Sequence, residues 1–310
     1  APECPAMFLR NFLIALSRNA FMKRLVTRNF IARRVARRFV AGETWEDASR
    51  AMDRLMGEGM DIALDFLGEN VHTPDEAHQA TEAYLQVLHR LHERGENWYV
   101  SLKLTQIGMD LGEELCLANL ERILAEAARS KTFVRVDMEG SQYTDLTCRL
   151  VEAAAERHSN VGIVIQAYLR RSREDVARMN RKKIPVRLCK GAYSEPPAVA
   201  FQKRSEVDAS FVTLMEDLML AGNNPSLATH DEAMIQATLE CARRHGIPPE
   251  AYEFQMLCGI RKERQLRLHR EGFRMRVYLP FGSDWYPYFM RRLAERPANL
   301  LFFLTALIRG

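Results

Sequence analysis

The chain has 310 residues, 47% of them hydrophobic and 27% charged, with 16 Gly and 12 Pro. These fractions exclude global disorder, a collagen-like repeat and a low-complexity array. The length allows two ordinary domains or one large α/β barrel of ~250 residues or more. Within the net charge of +4, the stretch from Pro5 to Gly42 holds nine basic residues and no acidic one, so the remainder carries −5. A basic excess confined to one end argues against a nucleic-acid groove spread over the fold, and no nucleic-acid partner is expected.

The six cysteines (Cys4, Cys116, Cys148, Cys189, Cys241 and Cys258) form no CxxC pair and no zinc-finger set with histidine. They read as reduced cytosolic thiols, and no metal is expected. No apolar run approaches the ~20 residues of a transmembrane helix. The first 40 residues lack the apolar core and small-residue cleavage site of a secretory signal, although their Arg-rich, acid-free composition is shared with organellar transit peptides.

In chain order, residues 8–40 read as one or two amphipathic helices, with Phe8, Leu9, Phe12, Leu13, Leu16, Phe21, Leu25, Val26, Phe30 and Ile31 as the apolar set. Such an arm either packs its apolar side on the globule, the commoner use of such a stripe, or docks on an anionic membrane. Beyond it, eight apolar or β-branched runs read as strands: 61–67, 98–104, 132–138, 161–169, 184–188, 225–229, 252–257 and 274–279. Helical segments lie between them. One, from Pro74 to Arg94, opens with the capping box Thr73-Pro74-Asp75-Glu76, and Ser172-Arg173-Glu174-Asp175 opens another in the same way. Eight βα beats predict a closed parallel barrel with helices outside. An open doubly wound sheet would call for a Gly-rich first turn, and neither GxGxxG nor GxxxxGK[ST] is present. No linker interrupts residues 45–297. The expected architecture is α/β, a (βα)8 TIM-like barrel over 45–310, preceded by a basic helical arm over 1–44.

In such a barrel the chemistry sits at the C-terminal strand ends. There the sequence places Lys103, Asp137 and Glu139, Gln166 and Tyr168, Arg187 and Lys190 with Gly191-Ala192, Thr229-His230-Asp231, Gln255 and Tyr278. Lysines and an arginine suit an anionic ligand. Lys103, inward on its strand, needs a partner, and Asp137 on the next strand is the natural one. On the last helix Tyr288, Arg291, Arg292 and Glu295 share one face, spaced i, i+3, i+4 and i+7. Two guanidinium forks suit a small carboxylate, but a solvated, salt-bridged face is the commoner meaning of this pattern. His230 has no GxSxG nucleophile to serve, and a packed or ligand-stacking histidine is the simpler reading. Cys189 and Cys258 have no basic partner at fixed spacing and read as inert thiols.

Taken together, these motifs resemble the proline dehydrogenase family in its compact bacterial single-function form. The resemblance runs in order through Ser101-Leu102-Lys103-Leu104, Val136-Asp137-Met138-Glu139, Gln166-Ala167-Tyr168, Arg187-Leu188-Cys189-Lys190-Gly191-Ala192-Tyr193, Ala228-Thr229-His230-Asp231 and Glu253-Phe254-Gln255-Met256-Leu257. It ends with residues 274–282 and 288–295 and covers roughly 45–300. The family resemblance implies a distorted (βα)8 barrel, noncovalent FAD, and oxidation of L-proline to Δ1-pyrroline-5-carboxylate by hydride transfer to flavin N5. It also implies electrons passed to quinone and a product taken up by pyrroline-5-carboxylate dehydrogenase. The implied location is cytoplasmic, with peripheral contact at the inner membrane face.

By position, the resemblance makes Arg291 and Arg292 the proline carboxylate clamp, oriented by Glu295, with Lys103 beside the carboxylate and Asp137. This reverses the pattern-based reading of the last helix. Tyr278, Tyr288 and Leu257 would enclose the pyrrolidine ring. Gln166, Arg187, Lys190, Gly191, Ala192, Tyr193, Thr229, His230 and Gln255 would line the cofactor. Relatives that use hydroxyproline tend to have a smaller residue at position 288, so Tyr288 favours unsubstituted proline. Methylenetetrahydrofolate reductase, another FAD barrel, is disfavoured by Arg291, Arg292 and Tyr288. A binding protein with a basic arm and a silent barrel is the alternative outside enzymes.

Overall fold

The strands form within a few residues of the bounds read from the sequence and close into one parallel barrel in chain order, β1 to β8. The computed structural model describes residues 24, 26, 27, 29–68, 70–95 and 97–295. Two helices lead in, α1 (Phe30–Ala36) and α2 (Trp45–Gly57). The alternation then runs β1 (Asp61–Phe66), α3 (Pro74–Glu93), β2 (Tyr99–Leu102), α4 (Glu113–Arg129), β3 (Phe133–Val136) and α5 (Thr144–Ala155). It continues with β4 (Val161–Gln166), α6 (Ser172–Arg181), β5 (Val186–Cys189), α7 (Arg204–Ala221), β6 (Ser226–Ala228), α8 (Glu232–His245), β7 (Glu253–Leu257), α9 (Lys262–Arg270), β8 (Met275–Phe281) and α10 (Trp285–Glu295).

Local chemistry accounts for the helix starts. Thr73 caps α3 by accepting from the Glu76 N–H at 3.2 Å, with Pro74 in the first turn where its missing donor costs nothing. Glu76 reaches back one residue further than a capping box requires, to the His72 N–H at 2.7 Å. The analogous cap expected at Ser172 does not form. Ser172 lies inside α6 and donates its hydroxyl to the Gln166 carbonyl at 2.6 Å, while Asp175 is taken by Arg171 at 2.8 Å. The β4 strand end gives that hydroxyl an acceptor, whereas a helix start offers only N–H donors.

Outward strand residues such as Val134, Val136, Ile163 and Ile165 are buried under the helices and form the main apolar core. The inward residues are different. Barrel interiors are usually filled by branched aliphatics, yet here Arg135, Ser226, Glu253 and Arg276 meet at the level of the strand starts. Arg276 Nε donates to both Glu253 oxygens at 3.1 Å, Ser226 donates to Glu253 at 3.0 Å, and Arg135 donates to Ser226 at 3.4 Å. The Arg276 guanidinium stacks 3.6 Å from the Tyr99 ring centroid. Burial works to raise the Glu253 carboxyl, but Arg276, Gln255 and Arg274 together hold the group down at about 2.

The described part of the arm packs on the last helix. Val35, Ala36, Phe39 and Val40 form one cluster with Ile260, Trp285, Tyr288, Phe289 and Leu293, and the Phe39 and Phe289 rings lie 6.3 Å apart. The Ala41 N–H donates to Pro280 and the Gly282 N–H to Gly42, at 2.8 and 2.9 Å, which ties the arm to the end of β8. Gly259 has φ +75°, and a Cβ there would stand 1.8 Å from the Arg38 carbonyl oxygen, so only glycine lets the two backbones approach. Arg33, Arg34, Arg37 and Arg38 remain exposed. The other apolar positions read in the arm, from Phe8 to Leu25, lie outside the described residues, as do the side chains of Phe30 and Ile31.

The buried Glu253–Arg276 pair makes a test of the interior. Glu253→Gln leaves the buried Arg276 with only the exposed Asp61, at 3.3 Å, as counter-charge and should cost about 3–5 kcal/mol in urea unfolding. Because the Glu253 carboxyl is depressed on folding, its contribution is present above the ordinary value of ~4.3 and is lost as pH falls toward about 2. The wild type should therefore lose stability more steeply than the Gln variant on acidification through that window.

Candidate active site

The C-terminal strand ends and the middle of α10 enclose a cavity of about 850 Å³. Of the strand-end and last-helix residues read from the sequence, all line it except Glu139 and Tyr168, which pack beside it, and Glu295, whose side chain lies outside the described residues. At one end are Lys103, Asp137, Leu257, Tyr278, Tyr288, Arg291 and Arg292. Along the rest run Gln166, Arg187, Lys190, Gly191, Ala192, Tyr193, Thr229, His230 and Gln255. The volume is within the range of small-molecule and cofactor sites.

Asp137 is fixed from two sides. Arg187 Nη1 donates to one oxygen at 2.8 Å and the Tyr278 hydroxyl to the other at 2.7 Å. Arg187 also donates to Ser101 at 3.1 Å, and its guanidinium lies 5.3 Å from the Tyr278 ring centroid. Burial, and then the neighbouring Asp137 and Asp65 carboxylates, push the Tyr278 phenol well above its usual range, so it stays a donor. Lys103, expected against Asp137, instead forms its ion pair with Asp65 of β1 at 3.6 Å. In a closed barrel β2 has two neighbours, and β1 supplies the counter-charge while Asp137 is taken by Arg187. Glu139 turns away and closes the chain after β2, accepting from the Thr105 N–H at 3.3 Å and hydroxyl at 2.7 Å.

On α10, Tyr288 is buried and the Arg292 guanidinium sits 5.1 Å from its ring centroid. Arg291 and Arg292 are half-buried at the cavity wall rather than spread on a solvated face. This end of the cavity carries fixed cations beside aromatic and aliphatic walls, which suits a small carboxylate with an apolar body.

The longer part of the cavity is built from β4 to β7. Lys190 is shared by Asp208 and Asp231, at 2.8 Å from the latter, and Asp231 also accepts from Arg204 at 2.8 Å. Hydrogen bonding from Lys190 holds the Asp231 carboxyl at about 2 against the effect of burial. Asp231 further caps α8 through the Ala233 N–H, and the Thr229 hydroxyl accepts from the Asp231 N–H, both at 3.0 Å. His230 Nε2 accepts from the Leu257 N–H at 2.9 Å, which leaves its ring proton on Nδ1 and anchors the ring to the end of β7. Gly191 has φ +109° and lies over Tyr168, whose ring a Cβ would meet at 2.3 Å, so the chain can cross there only as glycine. Gln166 donates to the Met138 carbonyl at 3.3 Å, and Gln255 donates to Glu253. The remaining Gln166 Oε1, Gln255 Oε1 and Arg187 Nε are buried with no hydrogen-bond partner among the described residues. Two acceptors and one donor on the residues of one cavity match a ligand that carries both kinds of group. Cys189 also lines the cavity, and burial pushes its thiol up to about 12, in line with an inert thiol.

Sequence reasoning missed Asp65, Arg204, Asp208 and the interior set Arg135, Ser226, Glu253 and Arg276. A signal for the interior set was present. Arg135, Glu253 and Arg276 stand two residues before Asp137, Gln255 and Tyr278, so a period of two sends them to the same face.

The profile of the proline dehydrogenase family matches residues 48–303. Proline dehydrogenase 1 of Bacillus subtilis is 42% identical over 97% of this chain and 99% of that protein. Proline dehydrogenase of Deinococcus radiodurans is 39% identical over 89% of this chain and 91% of that protein. Among solved structures, proline utilization A from Bdellovibrio bacteriovorus, inactivated by N-propargylglycine, superposes with a TM-score of 0.81 at 24% identity. That match covers 94% of this chain but 37% of the longer protein, and it bears on the fold. The chain belongs to the proline dehydrogenase family, oxidoreductases of proline catabolism.

Proposed function

We propose that this protein binds FAD noncovalently and oxidises L-proline to Δ1-pyrroline-5-carboxylate, with quinone as the electron acceptor. The observation that carries the reading is the single cavity that joins the cationic, aromatic end at Arg291, Arg292 and Tyr288 to the long wall from Gln166 to His230. The wall fits the cofactor. A flavin ring offers an N–H, carbonyl oxygens and ring nitrogens, the complement of the buried Gln166, Gln255 and Arg187 atoms. Lys190 and the backbone at Gly191 suit its phosphates.

The chemistry that FAD supplies when bound is acceptance of a hydride at N5. The protein's part is positioning. Arg291 and Arg292 take the carboxylate by paired hydrogen bonds, and Glu295 stands four residues from Arg291 to orient it. Leu257, Tyr278 and Tyr288 enclose the ring and exclude water. Fixing the carboxylate at two points limits the ring carbon to one approach, which converts binding energy into orientation. Arg187, held by Asp137 and Ser101, keeps a fixed positive charge in the cavity wall and would face the cofactor when it is bound. The product would pass to a pyrroline-5-carboxylate dehydrogenase.

Quinone dissolves in the membrane, so the reading includes peripheral contact at the inner membrane face of the cytoplasm. The exposed Arg33, Arg34, Arg37 and Arg38 support that contact electrostatically. Among the described residues no helix is long and apolar enough to cross a membrane.

Purified protein should be yellow, and anaerobic L-proline should bleach it; protein that takes up no FAD would refute the proposal. Arg292→Met should raise KM for proline roughly 10- to 100-fold, the loss of charged hydrogen bonds worth ~1.5–3 kcal/mol. An unchanged KM removes Arg292 from the clamp. Tyr288→Ser should raise the kcat/KM ratio of 4-hydroxyproline to proline by about tenfold, since room for one extra group is worth ~1–3 kcal/mol; steady-state kinetics on both substrates checks it.

A further inference from the structure

Asp65 is a buried acid to which the reaction as described gives no task. It faces inward on β1, opposite Ser101 of β2, and its side chain is 1% exposed. It does not line the cavity. Lys103 does, and Lys103 Nζ lies 3.6 Å from the Asp65 carboxylate. The contact therefore runs from a residue behind the wall to a residue in it.

The charges around Lys103 make this contact matter. Its side chain is 9% exposed, so water does little to hold its proton. The cavity it lines carries five further cations, Arg187, Lys190, Arg204, Arg291 and Arg292, each of which disfavours another. Among the described acids near it, Asp137 accepts from Arg187 and the Tyr278 hydroxyl, and Glu139 accepts from Thr105. From α3, the Tyr84 hydroxyl shares its one proton between Gln106 Oε1 at 2.8 Å and the Phe66 carbonyl at 3.2 Å, and contributes no charge.

We propose that Asp65 is a positioning residue that keeps Lys103 protonated and aimed at the substrate carboxylate. This rests on the reading of Lys103 as a substrate contact. Asp65 reaches the substrate carboxylate through Lys103 and also bears on the Tyr278 phenol, so the labelling of Lys103, and not KM alone, identifies its role.

The test is acetic anhydride labelling of the FAD-loaded protein across pH, with Lys103 followed by peptide mass spectrometry and an exposed lysine, Lys262, as internal control. Only the neutral amine reacts. Asp65→Asn should move the half-labelling pH of Lys103 down by at least one unit, leave that of Lys262 unchanged, and raise KM for proline at least tenfold with a smaller effect on kcat. Asp65→Glu should restore most of the wild-type labelling pH. A folded Asn variant with full FAD content and unchanged Lys103 labelling overturns the proposal. If the Asn variant does not fold, the double variant Asp65→Asn, Lys103→Met decides: recovered folding supports a charge pair, and continued failure overturns it. Protection of Lys103 by L-proline is read separately. Its absence from the wild type removes the substrate reading, whereas the labelling shift in Asp65→Asn speaks to the pair alone.

Discussion

The carboxylate of Asp137, held between Arg187 and Tyr278, is the constraint on which the mouth of this barrel depends. It joins β3, β5 and β8 across the opening, and through Arg187 it reaches Ser101 on β2. A charge buried there without partners would be costly, so each member needs the others. The consequence is rigidity in two cavity walls at once, because Tyr278 belongs to the carboxylate end and Arg187 to the longer wall. Deeper in the barrel, Arg276, Glu253, Ser226 and Arg135 repeat the pattern. The interior is thus a stack of paired polar groups, where the barrel could have been filled with aliphatic side chains.

Such an interior specifies register. Shifting a strand by one residue would turn its charged set toward the helices and its valines toward the ion pairs. The same alternation that packs Val134 and Val136 under the helices delivers Arg135 inward and Asp137 at the mouth. Stability and site therefore share one pattern, and substitution in either layer is felt by both.

The arm adds a second linkage. Phe39 packs on Phe289, a neighbour of Tyr288, and the segment at Arg38 lies backbone to backbone on Gly259, just after Leu257. The last helix, which carries Arg291 and Arg292, is thus backed on one side by the barrel and on the other by residues far away in sequence. Its arginines face a cavity because the apolar face of the helix is already occupied by the arm. The division of charge along the chain has a structural counterpart there, with buried aliphatics on one side of the arm and exposed arginines on the other.

The barrel was legible because βα alternation and strand periodicity are local properties, carried by runs of Val, Ile and Leu and by caps such as Thr73. Strand-end position likewise brought the polar residues of the cavity together, since in a parallel barrel every such end faces the same way. Partner choice was not local. Lys103 went to Asp65 rather than Asp137, Glu139 to Thr105, and Ser172 to the Gln166 carbonyl. The pattern of α10 by itself allowed a solvated face, and only its packing between arm and barrel directed Arg291 and Arg292 to the cavity. The sequence determined which residues could reach the barrel mouth. Closure of the sheet decided which of them meet, because it gives each strand two neighbours and lets buried charge select the better one.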